Sequence, residues 1–88
     1  MENNHLPNPS EFASRDIYIS SVLKAAGIPI IRVENHLGKG VFVFNHSPKI
    51  EELVTRYFNS KLKLDAKTLF ETWKGLKALA FSTVNISR

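Results

Sequence analysis

The arrangement of apolar and polar positions divides the chain into one β unit flanked by helices. Ile30-Ile31-Arg32-Val33-Glu34 is rich in β-branched residues, and Val41-Phe42-Val43-Phe44 is wholly β-branched or aromatic, as strands favour. Between them lies Asn35-His36-Leu37-Gly38-Lys39-Gly40, whose glycines supply positive φ at little steric cost. The stretch Ile28 to Asn45 therefore reads as a β-hairpin. In its first strand Ile31 and Val33 fall on one face and Arg32 and Glu34 on the other, which suits a half-buried edge strand. The second strand is apolar on both faces and is expected to lie centrally or to be covered on both sides. A two-stranded hairpin alone is marginal in water, so the flanking helices or a third strand must complete the core.

Three segments repeat apolar residues at helical spacing. In the first, Ile19, Val22, Leu23 and Ala26 share a face with Tyr18 and Ala25 on its flank. Ser14 reads as its N-cap, Asp16 sits in the first turn where the helix dipole favours a negative charge, and Gly27 and Pro29 end it, giving a helix over 14–26. In the second, Ser47 and Pro48 mark the start, Glu51 and Glu52 fill the first turn, and Ile50, Leu53, Val54, Tyr57 and Phe58 form the stripe, giving a helix over 48–58. In the third, Asp65 caps a helix over 66–82 whose inner stripe is Leu69, Trp73, Leu76 and Ala80, with Phe70, Leu79 and Phe81 adding to it. Gly75, which costs about 1 kcal/mol relative to alanine in mid-helix, is expected to mark a close crossing. Lys61-Leu62-Lys63-Leu64 alternates and reads either as a short third strand or as an extended linker.

The order α-β-β-α-α predicts a small α+β domain, an antiparallel hairpin packed against helices. Eighty-eight residues suffice for one domain. Residues 1–11 are expected to form a flexible arm, pinned at its end by Phe12, residues 12–82 the folded domain, and residues 83–88 a frayed end. The core is modest, and dimerisation would enlarge it.

Charge changes the picture more than composition does. The net charge is +4, but residues 1–55 hold five Lys/Arg against six Asp/Glu, whereas residues 56–77 hold Arg56, Lys61, Lys63, Lys67, Lys74 and Lys77 against only Asp65 and Glu71. The basic excess belongs to one segment. There is no cysteine, so disulfides, thiol nucleophiles and cysteine-bound zinc are ruled out together. No apolar run approaches the roughly 20 residues that span a bilayer. The first residues carry neither a basic n-region nor an apolar h-region, and a cytoplasmic location is expected. The glycosylation patterns at Asn45 and Asn85 carry no meaning without secretion.

Most catalytic chemistry finds no constellation. His5, His36 and His46 are scattered between the arm and opposite ends of the hairpin, so no metal site is expected. Gly38-Lys39-Gly40 joins strand to strand and lacks the flanking residues of a phosphate-binding loop. Glu51 and Glu52 diverge by about 100° around a helix and cannot share a proton. Asp16 near Tyr18 reads as a first-turn helix acid, and no Ser-His-Asp order is suggested. We expect neither an enzyme nor a cofactor.

With these residues laid out, the chain resembles a known family. Phe12 followed by Asp16-Ile17-Tyr18, the Ala26-Gly27 pair, the Val41-Phe42-Val43-Phe44 strand, Tyr57-Phe58-Asn59 and Leu76-Lys77-Ala78-Leu79 are similar to short prokaryotic and phage proteins grouped as a domain of unknown function. The resemblance covers roughly residues 12–82. It implies a compact stand-alone domain and hints at nucleic-acid or phage biology, and it carries no functional residue.

The basic segment is the remaining functional signal. Phosphate backbones need such charge, and a contact indifferent to sequence needs no more. The leading expectation is a small non-catalytic nucleic-acid-associated protein of phage or mobile-element type. It would use Arg56, Tyr57, Lys61, Lys63, Lys67, Lys74 and Lys77 on DNA or RNA. Lysine in place of arginine argues against base reading, since bidentate guanine contacts favour arginine. Tyr57, Phe58 and Trp73 fit core packing better than stacking on bases, and Tyr57, with a hydroxyl to satisfy, is the best placed of them for the surface. The rival expectation is a protein-interaction module, an accessory or inhibitor protein or a homodimer, that presents the hairpin edge or a helix groove. Clustered lysines beside an exposed Tyr57 would favour the first; a contiguous exposed apolar patch would favour the second.

Overall fold

A computed structural model of the protein describes residues 10–86. Its elements are β1 (Glu11–Ser14), α1 (Ile17–Ala25), β2 (Ile30–His36), β3 (Lys39–Asn45), α2 (Pro48–Phe58) and α3 (Ala66–Ile86). The fold is α+β, three helices on a three-stranded antiparallel sheet of order β1-β3-β2. The hairpin is present, and β3 is the central strand. Val41, Phe42, Val43 and Phe44 are all buried, as a strand apolar on both faces requires.

The third strand is the first element of the chain and not Lys61–Leu64. Residues 61–65 carry no ladder, and the two edges of β3 are taken by β1 and β2. Leu62 instead packs against the core as an anchor for the linker. Glu11, expected to end the arm, is a strand residue paired with Asn45; residues 1–9 of that arm lie outside the described residues. Phe12 does pin this end, its ring 6.3 Å from that of Phe44.

Pairing in β1 also moves the start of α1. Ser14 faces Phe42 across the ladder and so belongs to the strand. The N-cap is Asp16, whose Oδ1 accepts from the backbone N–H groups of Tyr18 at 2.8 Å and Ile19 at 3.2 Å. The helix ends in a Schellman motif. Gly27 takes φ +102°, its N–H donates to the Lys24 carbonyl, and Ile28 donates to Leu23. The end of α2 repeats the same motif with Ser60 at φ +57° in place of glycine, and Lys61 N–H donating to the Arg56 carbonyl at 2.8 Å. Helix α2 begins and ends at the predicted residues, although the Ser47 side chain makes no capping bond.

The hairpin loop is shorter than the sequence suggests. His36 pairs with Lys39, leaving Leu37 at φ +53° and Gly38 at φ +82°. This is the type I′ geometry whose twist matches the strands. The Asn35 side-chain oxygen accepts from Gly38 N–H at 2.9 Å. A bulge interrupts β2, with Ile30 facing Phe44 but Arg32 facing Val43. The extra residue, Ile31, is turned out of the ladder and exposed. Ile30 and Val33, rather than Ile31 and Val33, therefore pack on the core.

The core is built from Leu23, Phe42, Phe44, Ile50, Leu53 and Leu76. Helix α3 extends past Ser82 to Ile86, where a frayed end was expected; residues 87 and 88 lie outside the described residues. Gly75 has nothing within 4 Å of the position a Cβ would take, so it is no crossing point. The close approach is at Gly40, where a Cβ would lie 2.9 Å from that of Ala80.

Candidate functional site

Only part of the apolar surface of α3 is covered. Leu76 is buried, while Leu69, Trp73 and Ala80 are half-buried. Phe70 and Phe81, placed by spacing in the inner stripe, are 66% and 70% exposed, and Leu79 is exposed too. The reason is angular. Successive residues advance about 100°, so a stripe holding Leu69, Phe70 and Trp73 spans more of the helix than one packed layer conceals.

An open groove of about 410 Å³ lies between α3, α1 and the end of α2, and of Phe70, Leu79 and Phe81 it is Phe70 that lines it. Ala66, Leu69, Phe70 and Trp73 form one wall. Tyr18, Ser21 and Val22 of α1 form the other, and Tyr57 of α2 closes one end. Asp16 positions Tyr18 by starting α1 two residues before it, and Asp65 starts α3 immediately before Ala66. The Asp65 Oδ2 accepts from both the backbone N–H and the hydroxyl of Thr68 at 2.9 Å. The backbone bond first and the hydroxyl second hold this carboxyl below its ordinary value of 3.8.

The groove is aromatic and almost without hydrogen-bonding character. The Ser21 hydroxyl, its one side-chain alcohol besides the tyrosines, is already donated to the Ile17 carbonyl at 2.7 Å. The Trp73 Nε1 is buried and has no hydrogen-bond partner among the described residues. Tyr18 is 60% exposed, and Phe58, 67% exposed, meets the Tyr57 ring edge-on at 5.3 Å. Lys77 lies one turn beyond Trp73, and its Nζ sits 4.4 Å from the ring centroid, a cation–π contact at the rim.

The residues expected to contact phosphate divide into three kinds. Arg56 is paired with Glu52 at 3.3 Å and Lys67 with Glu71 at 2.8 Å, and Lys77 rests on Trp73. Lys61, Lys63 and Lys74 are exposed and make no ion pair among the described residues. Tyr57 is half-buried and is part of the groove wall, not a free surface ring. Trp73, assigned to the core, reaches the groove as well. Tyr18 and Phe70 were missed as site residues because periodicity assigned one to a flank and the other to the core. Their signal was an apolar stripe broader than a helix of this domain can bury.

The other candidate chemistries dissolve into local structure. The Asp16 carboxylate is spent on its cap. Glu51 contacts His46 Nε2 at 3.1 Å while Glu52 contacts Arg56, so the two diverge. Among the described residues no three His, Asp or Glu side chains gather to hold a metal, and no helix is long and apolar enough to cross a membrane. On the outer face of the sheet Arg32 donates to both Glu11 oxygens at 2.9 Å and to Glu34. These bonds, Glu11 first, raise the guanidinium above its already high value.

No curated protein and no solved structure gives a significant match to the chain. The profile of one family, Domain of unknown function (DUF5659), matches residues 10–82, from the turn before β1 to well inside α3. The chain belongs to that family of domains of unknown function.

Proposed function

We propose that this protein is a non-catalytic protein-interaction module of the cytoplasm, and that it docks a partner in the groove between α1, α2 and α3. The observation that carries this reading is the groove itself. Four aromatic rings, those of Tyr18, Tyr57, Phe70 and Trp73, line an open apolar cleft of about 410 Å³, within the roughly 300–1,000 Å³ typical of binding clefts. Phe58, exposed and edge-on to Tyr57, adds to the exposed apolar surface beside it. Exposed apolar surface of this kind opposes solubility unless a partner covers it, and aromatic residues are the anchors that interfaces prefer. The cysteine-free composition supports the compartment.

A second reading is favoured by one observation, the three lysines Lys61, Lys63 and Lys74, which make no ion pair among the described residues. Stacking rings beside cations also suit single-stranded nucleic acid, of the phage or mobile-element kind. We rank it second because Arg56 and Lys67 already have carboxylate partners.

The test is a peptide-display selection on the intact protein, counter-selected against Phe70→Asp. Phe70 is mostly exposed, so the variant retains the fold. The expected result is a set of apolar-rich peptides that bind the parent, fail on the variant, and shift the NMR signals of Tyr18, Phe70 and Trp73. Peptides that bind both proteins equally would overturn the reading. In parallel, labelled DNA and RNA are titrated at two salt concentrations against the parent and a variant with Lys67, Lys74 and Lys77 changed to Glu. Binding that weakens with salt and is lost in the variant would replace the protein partner with nucleic acid.

A further inference from the structure

We infer that the occupant of the groove is a short acidic amphipathic helix, with Lys77 and Lys74 as the residues that select for its charge. This rests on the groove being the docking site and adds what docks there. The argument begins with shape. The α3 wall runs from Ala66 to Trp73, about 10 Å or two helical turns, enough to receive residues at i, i+3, i+4 and i+7 of another helix. The surface the lining offers is almost wholly apolar: the Ser21 hydroxyl is bonded within α1, and the Trp73 Nε1, although it has no partner among the described residues, is closed off from the surface. An extended strand pressed into it would leave its own N–H and C=O groups unpaired, whereas a helix satisfies them internally.

Charge then selects among helices. Within residues 56–77 the only acids are Asp65 and Glu71, engaged on Thr68 and on Lys67, and on the α1 side Asp16 is engaged on its own cap. The Lys77 ammonium lies over the ring of Trp73, a lining residue, 4.4 Å from its centroid, and Lys74 is exposed one residue along from Trp73. A helix seated in the groove with carboxylates beside its apolar stripe meets these cations at the rim. A basic one meets repulsion. The same argument disfavours a second copy of the chain. A two-fold interface pairs a patch with the same patch, so a copy would bring a second set of rim lysines and no complementary carboxylates beyond those already engaged.

Trp73 is the only tryptophan, so its emission reports occupancy of the groove. The experiment uses the full chain and three synthetic helical peptides with one apolar stripe and polar positions filled by Glu, Gln or Lys, with a single-stranded oligonucleotide as a fourth probe. Affinities come from the anisotropy of labelled probes. The expected result is a Trp73 spectral shift with the Glu peptide and an affinity at least about fivefold above that of the Gln peptide, the Lys peptide being weakest. That order should fade in about 1 M salt and invert in the double variant Lys74→Glu, Lys77→Glu. Phe70→Asp should weaken all three peptides. Equal affinity for the three peptides would overturn the charge selection and leave the groove as a docking site. Absence of any peptide response, peptide binding indifferent to Phe70→Asp, or tighter oligonucleotide binding that displaces the peptides would overturn both.

Discussion

Arg32 reaches across the central strand of the sheet to grip Glu11. The two residues are far apart in sequence and lie on opposite edge strands, β2 and β1, yet both guanidinium Nη atoms meet the carboxylate at 2.9 Å. The pair passes over Val43, which is 1% exposed. A third partner, Glu34, accepts from Nε. A two-pronged arginine–carboxylate bond fixes geometry as well as charge, so this contact ties the short strand β1, only four residues long, to the far side of the sheet.

The first prediction follows from that clasp. Arg32→Met and Glu11→Gln should each lower the thermal midpoint, and the double variant should lose less than the sum of the two. Increasing salt should shrink the coupling, because both groups are partly open to solvent. A double-mutant cycle by thermal denaturation measures it, and strict additivity would remove the clasp from the account of how β1 is held.

Two glycines should respond with opposite signs to alanine. Gly40→Ala places a methyl 2.9 Å from the Ala80 Cβ, and overpacking of this kind costs about 1–3 kcal/mol. Ala80→Gly in the same chain should recover part of that loss. Gly75 is exposed, helical and free of neighbours, so Gly75→Ala should stabilise by up to about 1 kcal/mol. Urea denaturation of the three variants beside the parent decides both.

Among the described residues two non-glycine positions occupy left-handed backbone and should reward replacement. Leu37 is 85% exposed at φ +53° in the type I′ turn, and Ser60 sits at φ +57° after α2. Leu37→Asn and Ser60→Gly relieve that strain and should each stabilise by about 0.5–1 kcal/mol. Neither side chain is part of the core, so the two gains should add. Chemical denaturation of the single and double variants provides the check.

Asp65 gives the acid limb a specific origin. Its carboxyl is held below the ordinary value of 3.8 by the Thr68 backbone and hydroxyl. A lowered carboxyl stabilises the folded chain at pH above the unfolded value, and that contribution is lost as pH falls from about 3.8 through the lower folded value. Asp65→Asn should therefore flatten the stability profile in that window and leave it unchanged in slope near neutrality. Helix content by circular dichroism, followed against pH for parent and variant, measures the difference; profiles of identical slope below pH 4 would count against Asp65 as the titrating cap.

The sequence by itself determined the elements whose signals are local. Val41 to Phe44 are apolar on both faces, so β3 had to be enclosed. Ser47-Pro48 starts α2 and Asp65 caps α3, each by chemistry confined to a single turn. Gly27 ends α1 because an αL residue is needed there. Tertiary structure alone decided the rest, because those outcomes depend on what arrives from elsewhere in the chain. Glu11 to Ser14 is too short to announce a strand and becomes one only because β3 offers it an unfilled edge. The bulge at Ile31 shifts which face the strand buries, and a period-two pattern cannot reveal a single added residue. The groove is the same lesson at the level of function. Phe70 and Trp73 both read as core on a helix considered alone, and only the placement of α1 and α2 fixes how much of α3 is covered, leaving these rings open beside the lysines.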